Sequence, residues 1–384
     1  MNTKRTHTAP KNQQGMVSIT VTIVFIMVIS LVVLGFSQVT RRNSRESLDR
    51  QLSSQAFYAA ETGINDAVRE ITRQVNKGEV IKKQDTCNGA PYTKNEGKFD
   101  TSNPDISYTC LTVNPLPPTL DYSNVGETSL AIPLNAAKGD GSPTILNSIV
   151  VSWKRTAGNE NSTKPQTCPQ PRVDGGGQLI TNFPTSKGWT DRCPFGVLRV
   201  DIVPTDTENL SDPIVAARNT LTAFIYPKAG GNGDVITYDK GSQNGMTSPT
   251  TLGAPQGLVK AGGCDDETCK FTVNGLNFAS AYMRVRTVYL DARSVSVKVG
   301  DATVEETGGV AERVYLTDAQ IIVDSTGKSQ DVLRRLQVRV PYKGTSSRPI
   351  NKAFSDYALQ TDDSICKRFV VSPTYGSDSG CSVD

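Results

Sequence analysis

Cysteine is the residue type with the clearest chemistry in this chain of 384 residues. All eight cysteines lie after Lys77. An even number confined to one part of a chain is typical of disulfide bonds formed in an oxidising compartment. Eight cysteines allow 105 connectivities, but consecutive pairs each close a short polar stretch, so we expect pairing in sequence order. The expected disulfides are Cys87 with Cys110, Cys168 with Cys193, Cys264 with Cys269, and Cys366 with Cys381.

The other residues that could do chemistry do not form a recognisable catalytic or metal site. The only histidine is His7, near the N-terminus, so a histidine-activated nucleophile has no partner in the rest of the chain. No CxxC pair is present, which leaves structural zinc without ligands. The paired carboxylates Asp265–Asp266 and Asp362–Asp363 stand in polar stretches beside cysteines, where solvated loop charge is the better interpretation. We therefore expect no enzyme activity, metal or cofactor.

The stretch from Asp324 to Ser329 partly matches two ligand-binding motifs. Gly327-Lys328-Ser329 ends like a phosphate-binding loop, but Ile322 occupies the position of the first glycine. Asp324 to Gly327 begins like a calcium loop without the later acidic positions. We expect these residues to form a turn between two strands.

The most distinctive element is the apolar run from Met16 to Phe36, inside a segment without charge between Lys11 and Arg41. As a helix, these residues reach about 30 Å, the thickness of a bilayer's hydrocarbon core. The small hydroxyls within the run can bond to the helix's own carbonyls. The sequence predicts a transmembrane helix over residues 16–40, preceded by a basic leader over residues 1–15. Three basic residues flank each side of the run, so charge alone does not set the orientation.

A second helical pattern follows directly, over residues 41–77. Apolar residues recur there at three- and four-residue spacing and predict one buried stripe along an amphipathic extension of the same helix. Gly35 and Gly63 are expected to weaken this helix by about 1 kcal/mol each relative to alanine. The residues expected to pack are Leu48, Leu52, Ala56, Ala60, Ile64, Val68, Ile71 and Val75.

Residues 78–384 are predicted to form a large β-rich, disulfide-bonded region. Nine stretches rich in Val, Ile, Tyr, Phe and Thr read as strands, among them Leu146–Trp153, Val332–Pro341 and Arg368–Val371. Residues 84–143, which contain Pro115, Pro117 and Pro118, read as a long irregular loop. The Gly- and Asn-rich stretch from Lys228 to Gly257 is either a loop or a boundary between two domains, 78–228 and 257–384. The predicted fold class is α+β.

The N-terminal region resembles type IV pilin-like proteins, and in particular PilX-type minor pilins. The resemblance is carried by Gln14-Gly15-Met16, by the apolar run, and by the stretch from Gln55 to Glu61, and it covers about 65 residues. It implies cleavage after Gly15 by a prepilin peptidase, methylation of the new N-terminus at Met16, and an N-terminus inside the cell. It also implies packing against other pilin subunits through the helix.

One position departs from the pattern of the major pilins. They usually carry a glutamate at the fifth mature position, where this chain has Thr20. A carboxylate in an apolar bundle is tolerated only when it is paired, so its absence favours a minor, tip or initiating subunit over the repeating one.

Two functions from different classes remain open. The first is a minor pilin or pilin-like subunit that waits in membrane lipid and presents its body for filament priming, adhesion or DNA uptake. The second is an uncleaved, signal-anchored surface protein that never enters a filament. The net charge is +3, and the leader alone contributes +3 through Lys4, Arg5 and Lys11, so the processed chain is formally neutral. This neutrality argues against a body that is basic throughout, as a nucleic-acid-binding body would be.

Overall fold

The computed structural model defines the fold over most of the chain. It describes residues 14–87, 89–93, 98–100, 103–156, 167–172, 184–205, 219–231, 233–239, 258–300, 303–305 and 311–342. The predicted leader up to residue 13, the predicted strand Arg368–Val371, and both Cys366 and Cys381 lie outside these residues.

The first element is a single long helix, α1 (Gln14–Asn76), of 63 residues. The prediction of one helix that continues past the apolar run is confirmed. The helix ends one residue earlier than predicted, where Gly78 adopts a left-handed φ of 68°. The Gly78 N–H donates to Val75 O (3.0 Å) and the Glu79 N–H to Gln74 O (2.9 Å), which satisfies two of the last carbonyls.

The remaining elements are nineteen strands and one short helix within the described residues, so the α+β class is confirmed. The strands are β1 (Lys98–Asp100), β2 (Asn103–Asn114), β3 (Leu120–Val125), β4 (Leu130–Pro133), β5 (Asn135–Ala137), β6 (Pro143–Thr144), β7 (Leu146–Lys154), β8 (Val197–Pro204), β9 (Leu221–Ala229), β10 (Val235–Thr237), β11 (Leu258–Cys264), β12 (Thr268–Phe278), β13 (Ala281–Val288), β14 (Ala292–Val299), β15 (Thr303–Glu305), β16 (Ala311–Arg313), β17 (Tyr315–Thr317), β18 (Gln320–Ser329) and β19 (Val332–Pro341). The short helix is α2 (Ser186–Thr190).

The chain divides into two compact units. The first holds the described residues of Met1–Gly63, Lys94–Cys110 and Ser325–Leu336. The second holds those of Ile64–Thr93, Leu111–Asp324 and Gln337–Asp384. The strands form a four-stranded sheet in the order β1-β2-β18-β19, a ten-stranded sheet, a three-stranded sheet (β17-β5-β6) and the hairpin β15-β16.

The ten-stranded sheet belongs to the second unit and runs β3-β14-β7-β12-β11-β9-β8-β13-β4, with β10 also paired to β12. Neighbours are antiparallel except β11 with β9 and β10 with β12. Strands from before Lys228 and strands from after Gly257 are intermixed along this order, for example in the run β3-β14-β7-β12. The stretch Lys228–Gly257 therefore does not separate two independent sheets, and the alternative of domains 78–228 and 257–384 is wrong for the described residues.

Two further predictions need correction. The stretch 84–143 contains β1 to β5 and is not mainly irregular, because its prolines 115, 117 and 118 all fall in the short connection between β2 and β3.

Residues Asp324 to Gly327 do not form a turn, since β18 runs through them to Ser329. The reversal comes at Gln330 and Asp331, where Gln330 takes the positive φ of 53° that such a tight turn requires.

The core of the second unit lies on the ten-stranded sheet and follows the alternation expected of strands. Val295, Val297 and Val299 of β14 are buried, whereas Lys298 is exposed. The indole of Trp153 is fully buried, packs edge-on against Phe271 (ring centroids 6.1 Å apart), and donates its N–H to Gly196 O (3.2 Å). This tryptophan is thus a core residue, with its polar atom satisfied as burial demands.

Candidate membrane anchor and helix-packing surface

The N-terminal part of α1 exposes a continuous apolar surface. Every residue from Ser18 to Arg50 is exposed, with fractions from 49% at Ile29 to 70% at Phe36 among the large apolar side chains of the run. The mean hydropathy of this region reaches 2.9, and the helix is long and apolar enough to cross a membrane. An exposed apolar surface of this size marks a site of interaction with a membrane or with other protein segments.

The hydroxyl groups inside the apolar run bond to the helix itself. Thr22 Oγ1 donates to Ile19 O (2.8 Å) and to Ser18 O (3.0 Å), and Ser30 Oγ donates to Ile26 O (2.8 Å). These bonds satisfy the hydroxyls without any outside partner, as the sequence predicts. The hydroxyl groups of Thr22 and Ser30 therefore need no hydrogen-bond acceptor outside the helix.

The predicted processing residues lie at the start of α1. Gly15 and Met16 are in its first turn, and Thr20 is an exposed helical residue about one turn later. The backbone is helical at all three positions.

A surface of small residues on α1 allows strand β18 to approach the helix closely in the first unit. We call Ala56, Ala59, Ala60 and Gly63 the small-residue surface, and all four are buried. A Cβ atom added to Gly327 of β18 would collide with the Ala56 carbonyl oxygen and the Ala60 amide nitrogen. Backbone thus lies against backbone, an arrangement that only glycine and alanine permit.

Gly63 has the same role from the helix side. A Cβ atom there would collide with Ser325 Oγ and would stand 3.0 Å from Cγ of the fully buried Tyr108. Side chains at the edge of the contact add hydrogen bonds: Ser329 Oγ donates to Gln55 Oε1 (2.9 Å), and Arg334 Nε donates to Ser53 Oγ (2.8 Å). The helix and the β18–β19 hairpin are joined by close packing and by these two hydrogen bonds.

The predicted stripe is largely confirmed, with one error. Its buried members are Leu52, Ala56, Ala60, Ile64, Ile71 and Val75, and Val68 is half-buried. Leu48 is 54% exposed, so its assignment to the packed stripe is wrong. Burial along the helix begins only at Leu52, one turn later, and the next residue, Ser53, accepts a hydrogen bond from Arg334 of strand β19.

The last turns of α1 belong to the second unit and are held by polar contacts. Arg73 and the buried carboxylate of Glu70 form an ion pair (2.6 Å), and this hydrogen bonding raises the pKa of the Arg73 guanidinium. Tyr92 donates its hydroxyl proton to Lys82 O (2.7 Å) and lies 3.3 Å from Gln74 Oε1. Burial raises the pKa of Tyr92 to about 12.

The described cysteines are all disulfide-bonded. Cys168 pairs with Cys193, and Cys264 pairs with Cys269, so both pairs follow the expected sequence order. Cys264 and Cys269 face each other directly in the β11–β12 hairpin. Cys87 and Cys110 also lie in disulfides.

Several residues of the packing surface escape sequence analysis. Gly327 reads as part of a failed phosphate loop and Gly63 as a weak point of the helix, yet both are required for close approach. No sequence motif or periodicity marks Tyr92 or Tyr108 as a residue of a packing surface. A small residue at every third or fourth helical position, Ala56 to Gly63, is the one signal that predicts a close crossing.

The described residues contain no group of three His, Cys, Asp or Glu side chains that could hold a metal ion. No protein-family model, no curated protein and no solved structure matches the chain.

Proposed function

We propose that this protein is a minor pilin or pilin-like subunit of a type IV pilus machine. The single observation that carries the proposal is the difference in burial between the first and the later part of α1. The helix leaves its apolar residues from Ser18 to Phe36 exposed, whereas it buries one side of its later part, from Leu52 to Val75. A helix of 63 residues is about 95 Å long, so one end can lie in a bilayer while the other supports a body outside it.

Assembly uses the exposed apolar segment of this helix to hold the subunit and its later part to carry the body. Before assembly, the segment from Ser18 to Phe36 rests in the cytoplasmic membrane with its N-terminus inside. On entry into a filament it exchanges lipid contacts for contacts with the helices of other subunits. Because Thr20 replaces an ionisable residue, the exchange requires no buried charge pair. The β-rich body then faces the cell surface, where it serves priming, adhesion or DNA uptake.

The alternative is a single-pass, signal-anchored surface protein outside any filament. The same exposed apolar segment supports it, since a membrane anchor alone needs nothing more. The two proposals differ at one covalent bond, that between Gly15 and Met16. Only the pilin-like function requires a prepilin peptidase to cut there.

Intact mass and N-terminal sequencing test the proposal directly. The protein is isolated from native membranes and from sheared surface filaments of the same cells. We expect a chain that starts at Met16 and carries an N-terminal methyl group in the filament fraction. A chain that starts at Met1 and occurs in membranes alone would overturn the pilin-like function in favour of the anchored surface protein.

A matched pair of variants separates cleavage from folding. Gly15→Leu is expected to block processing and to remove the protein from filaments while its amount in the membrane stays unchanged. Gly35→Leu serves as the control, because no atom lies within 4 Å of a Cβ at Gly35 and the substitution keeps the segment apolar. The control variant should be cut after Gly15 like the wild type.

A further inference from the structure

A half-open cleft of about 1280 Å³ lies in the second unit. Three tyrosines line it, Tyr122 of β3, Tyr282 of β13 and Tyr342 beyond β19, and each is half-buried. Sites for single small molecules usually occupy about 300 to 1,000 Å³ and combine aromatic rings with a few fixed polar groups. The cleft has this character but is larger, which favours an extended ligand.

The polar part of the lining is ordered by a chain of hydrogen bonds. Thr205 Oγ1 donates to Ser280 Oγ (2.8 Å), which in turn donates to Asn135 Oδ1 (2.7 Å). Asn135 Nδ2 donates to Asp318 Oδ2 (3.0 Å). Ser280, Asn135 and Asp318 all line the cleft. This series of hydrogen bonds ends at the Asp318 carboxylate and fixes its orientation.

The Asp318 carboxylate retains the capacity to accept a hydrogen bond. The described part of the chain has a donor to Oδ2 and none to Oδ1. Asp318 lies in the turn between β17 and β18 with φ of 61°, and the Tyr342 N–H donates to the neighbouring Ala319 O (3.0 Å). Burial raises the pKa of Tyr342, and the charge of Asp318 raises it further. The backbone of Tyr342 is therefore tied to the turn that carries Asp318, and both residues line the cleft.

The free acceptor and the local charges narrow the ligand class. The Asp318 carboxylate can bind a ligand that donates hydrogen bonds. A polyhydroxylated molecule has such donors at many positions. Among the described lining residues, Lys82 and Lys83 stand against Glu79, Asp140 and Asp318, and Lys83 is paired with Asp85 at 3.0 Å. Without a cationic cluster, a nucleic-acid strand has no phosphate-binding surface here.

An extended peptide fits the cleft less well. The lining strand β4 has only four residues and ends at Pro133, which has no N–H to pair with an added strand. A proline-rich peptide, in turn, has few N–H groups to donate to Asp318.

We propose that this cleft binds a neutral oligosaccharide, whose hydroxyl groups donate to Asp318 and whose sugar faces pack on the tyrosine rings. Tyrosine suits this role because its ring is apolar on the faces and polar at the tip. The inference goes beyond the proposed function, since it holds for a filament subunit and for an anchored surface protein alike.

Saturation-transfer NMR with the full chain tests the inference. The protein is held in dodecylphosphocholine micelles, whose headgroup contains no sugar. The probes are neutral hexasaccharides built of glucose, mannose, galactose or N-acetylglucosamine, together with a proline-rich decapeptide. We expect transfer to at least one hexasaccharide and none to the peptide. Transfer to the peptide, or to none of the hexasaccharides with folded protein, would overturn the inference.

Variants locate the binding. Asp318→Gly removes the carboxylate without backbone strain, because glycine adopts the φ of 61° freely. We expect it to weaken binding about tenfold or more, as for the loss of a hydrogen bond to a charged group. Asp318→Asn tests the same acceptor in a side chain of equal size should the glycine variant fail to fold.

Two further variants complete the design. Tyr342→Phe keeps the ring and should retain more affinity than Tyr342→Ala. Asp266→Ala, in the exposed tip of the β11–β12 hairpin, removes a carboxylate outside the cleft lining and should bind like the wild type. Binding that survives both Asp318→Gly and Tyr342→Ala would lie elsewhere and would contradict the inference.

Discussion

Gly327 of β18 lies so close to Ala56 of α1 that a methyl group at position 327 would overlap the Ala56 carbonyl oxygen. The neighbouring Ala60 amide nitrogen blocks the same space. Neither obstacle is a side chain that could rotate away. The contact therefore depends on the absence of a side chain at one residue of the strand.

The first prediction follows from this contact. Gly327→Ala forces the strand and the helix apart, and we expect it to lower the free energy of unfolding by about 1 to 3 kcal/mol or more. Gly139→Ala is the control, since its Cβ would meet only Tyr315 Cε2 at 4.0 Å. Urea unfolding followed by circular dichroism measures both. Equal stability of the two variants would contradict the close approach.

The second prediction concerns the hydroxyl of Ser325. Its Oγ is buried without a hydrogen-bond partner among the described residues, and it faces Gly63. Ser325→Ala removes an unsatisfied polar group and should stabilise the protein by about 1 kcal/mol. Thermal unfolding of the variant against the wild type is the measurement.

A double-mutant cycle with Gly63→Ala tests the same geometry. Gly63→Ala alone should destabilise the protein through its collision with Ser325 Oγ. In the Ser325→Ala background the cost should be smaller, though not zero, because Tyr108 Cγ also stands 3.0 Å from the new Cβ. Additive effects would show that the two residues are not in contact.

The third prediction compares the two disulfides. The Cys168–Cys193 bond joins residues 25 apart in sequence, whereas Cys264–Cys269 joins residues 5 apart. On the chain-entropy account, their removal costs about 3.5 and about 2 kcal/mol at 25 °C, because the longer loop restricts the unfolded chain more. Paired Cys→Ala variants, compared by urea midpoint, measure the difference. A larger loss for the Cys264–Cys269 pair would refute the ordering.

The fourth prediction concerns alkaline pH. Burial raises the pKa of Tyr92 to about 12, from an ordinary value of 10.0. Because the folded pKa is the higher one, the stabilisation is fully present below pH 10 and is lost as the pH rises from about 10 to about 12. Loss of solvent also raises the pKa of buried Tyr226 and of half-buried Tyr122, Tyr289 and Tyr342, which act in the same direction.

Melting temperature measured from pH 8 to pH 12 checks this dependence. Tyrosinate absorbance followed in parallel should rise mainly with unfolding rather than before it. Tyr92→Phe should show a shallower fall of the melting temperature above pH 10. An unchanged melting temperature across the range would contradict the burial of these phenols.

The fifth prediction concerns the exposed apolar segment. The full chain should stay with membranes through a carbonate wash, whereas a chain that lacks residues 1–36 should be extracted by buffer alone. When the truncated chain is exported behind a cleavable signal peptide, it should still contain its disulfides, since no cysteine lies in the deleted part. Release of the full chain by carbonate would contradict a spanning helix.

The sequence by itself determined the elements whose signal is local. The apolar run from Met16 to Phe36, the stripe after it and the glycine at position 78 predict α1 nearly to the residue, because helix periodicity and helix ends depend on neighbours in the chain. Alternating Val295, Val297 and Val299 likewise predict a half-buried strand. The disulfides Cys168–Cys193 and Cys264–Cys269 follow from cysteine order.

Only the tertiary structure decided which distant segments meet. The mixing, within one sheet, of strands from both sides of Lys228–Gly257 depends on pairings between residues far apart, such as Cys269 with Trp153. The close crossing at Gly327 and the convergence of Asn135, Ser280 and Asp318 in one cleft are of the same kind. Local sequence carries no register for such contacts, because their energy depends on a partner more than a hundred residues away.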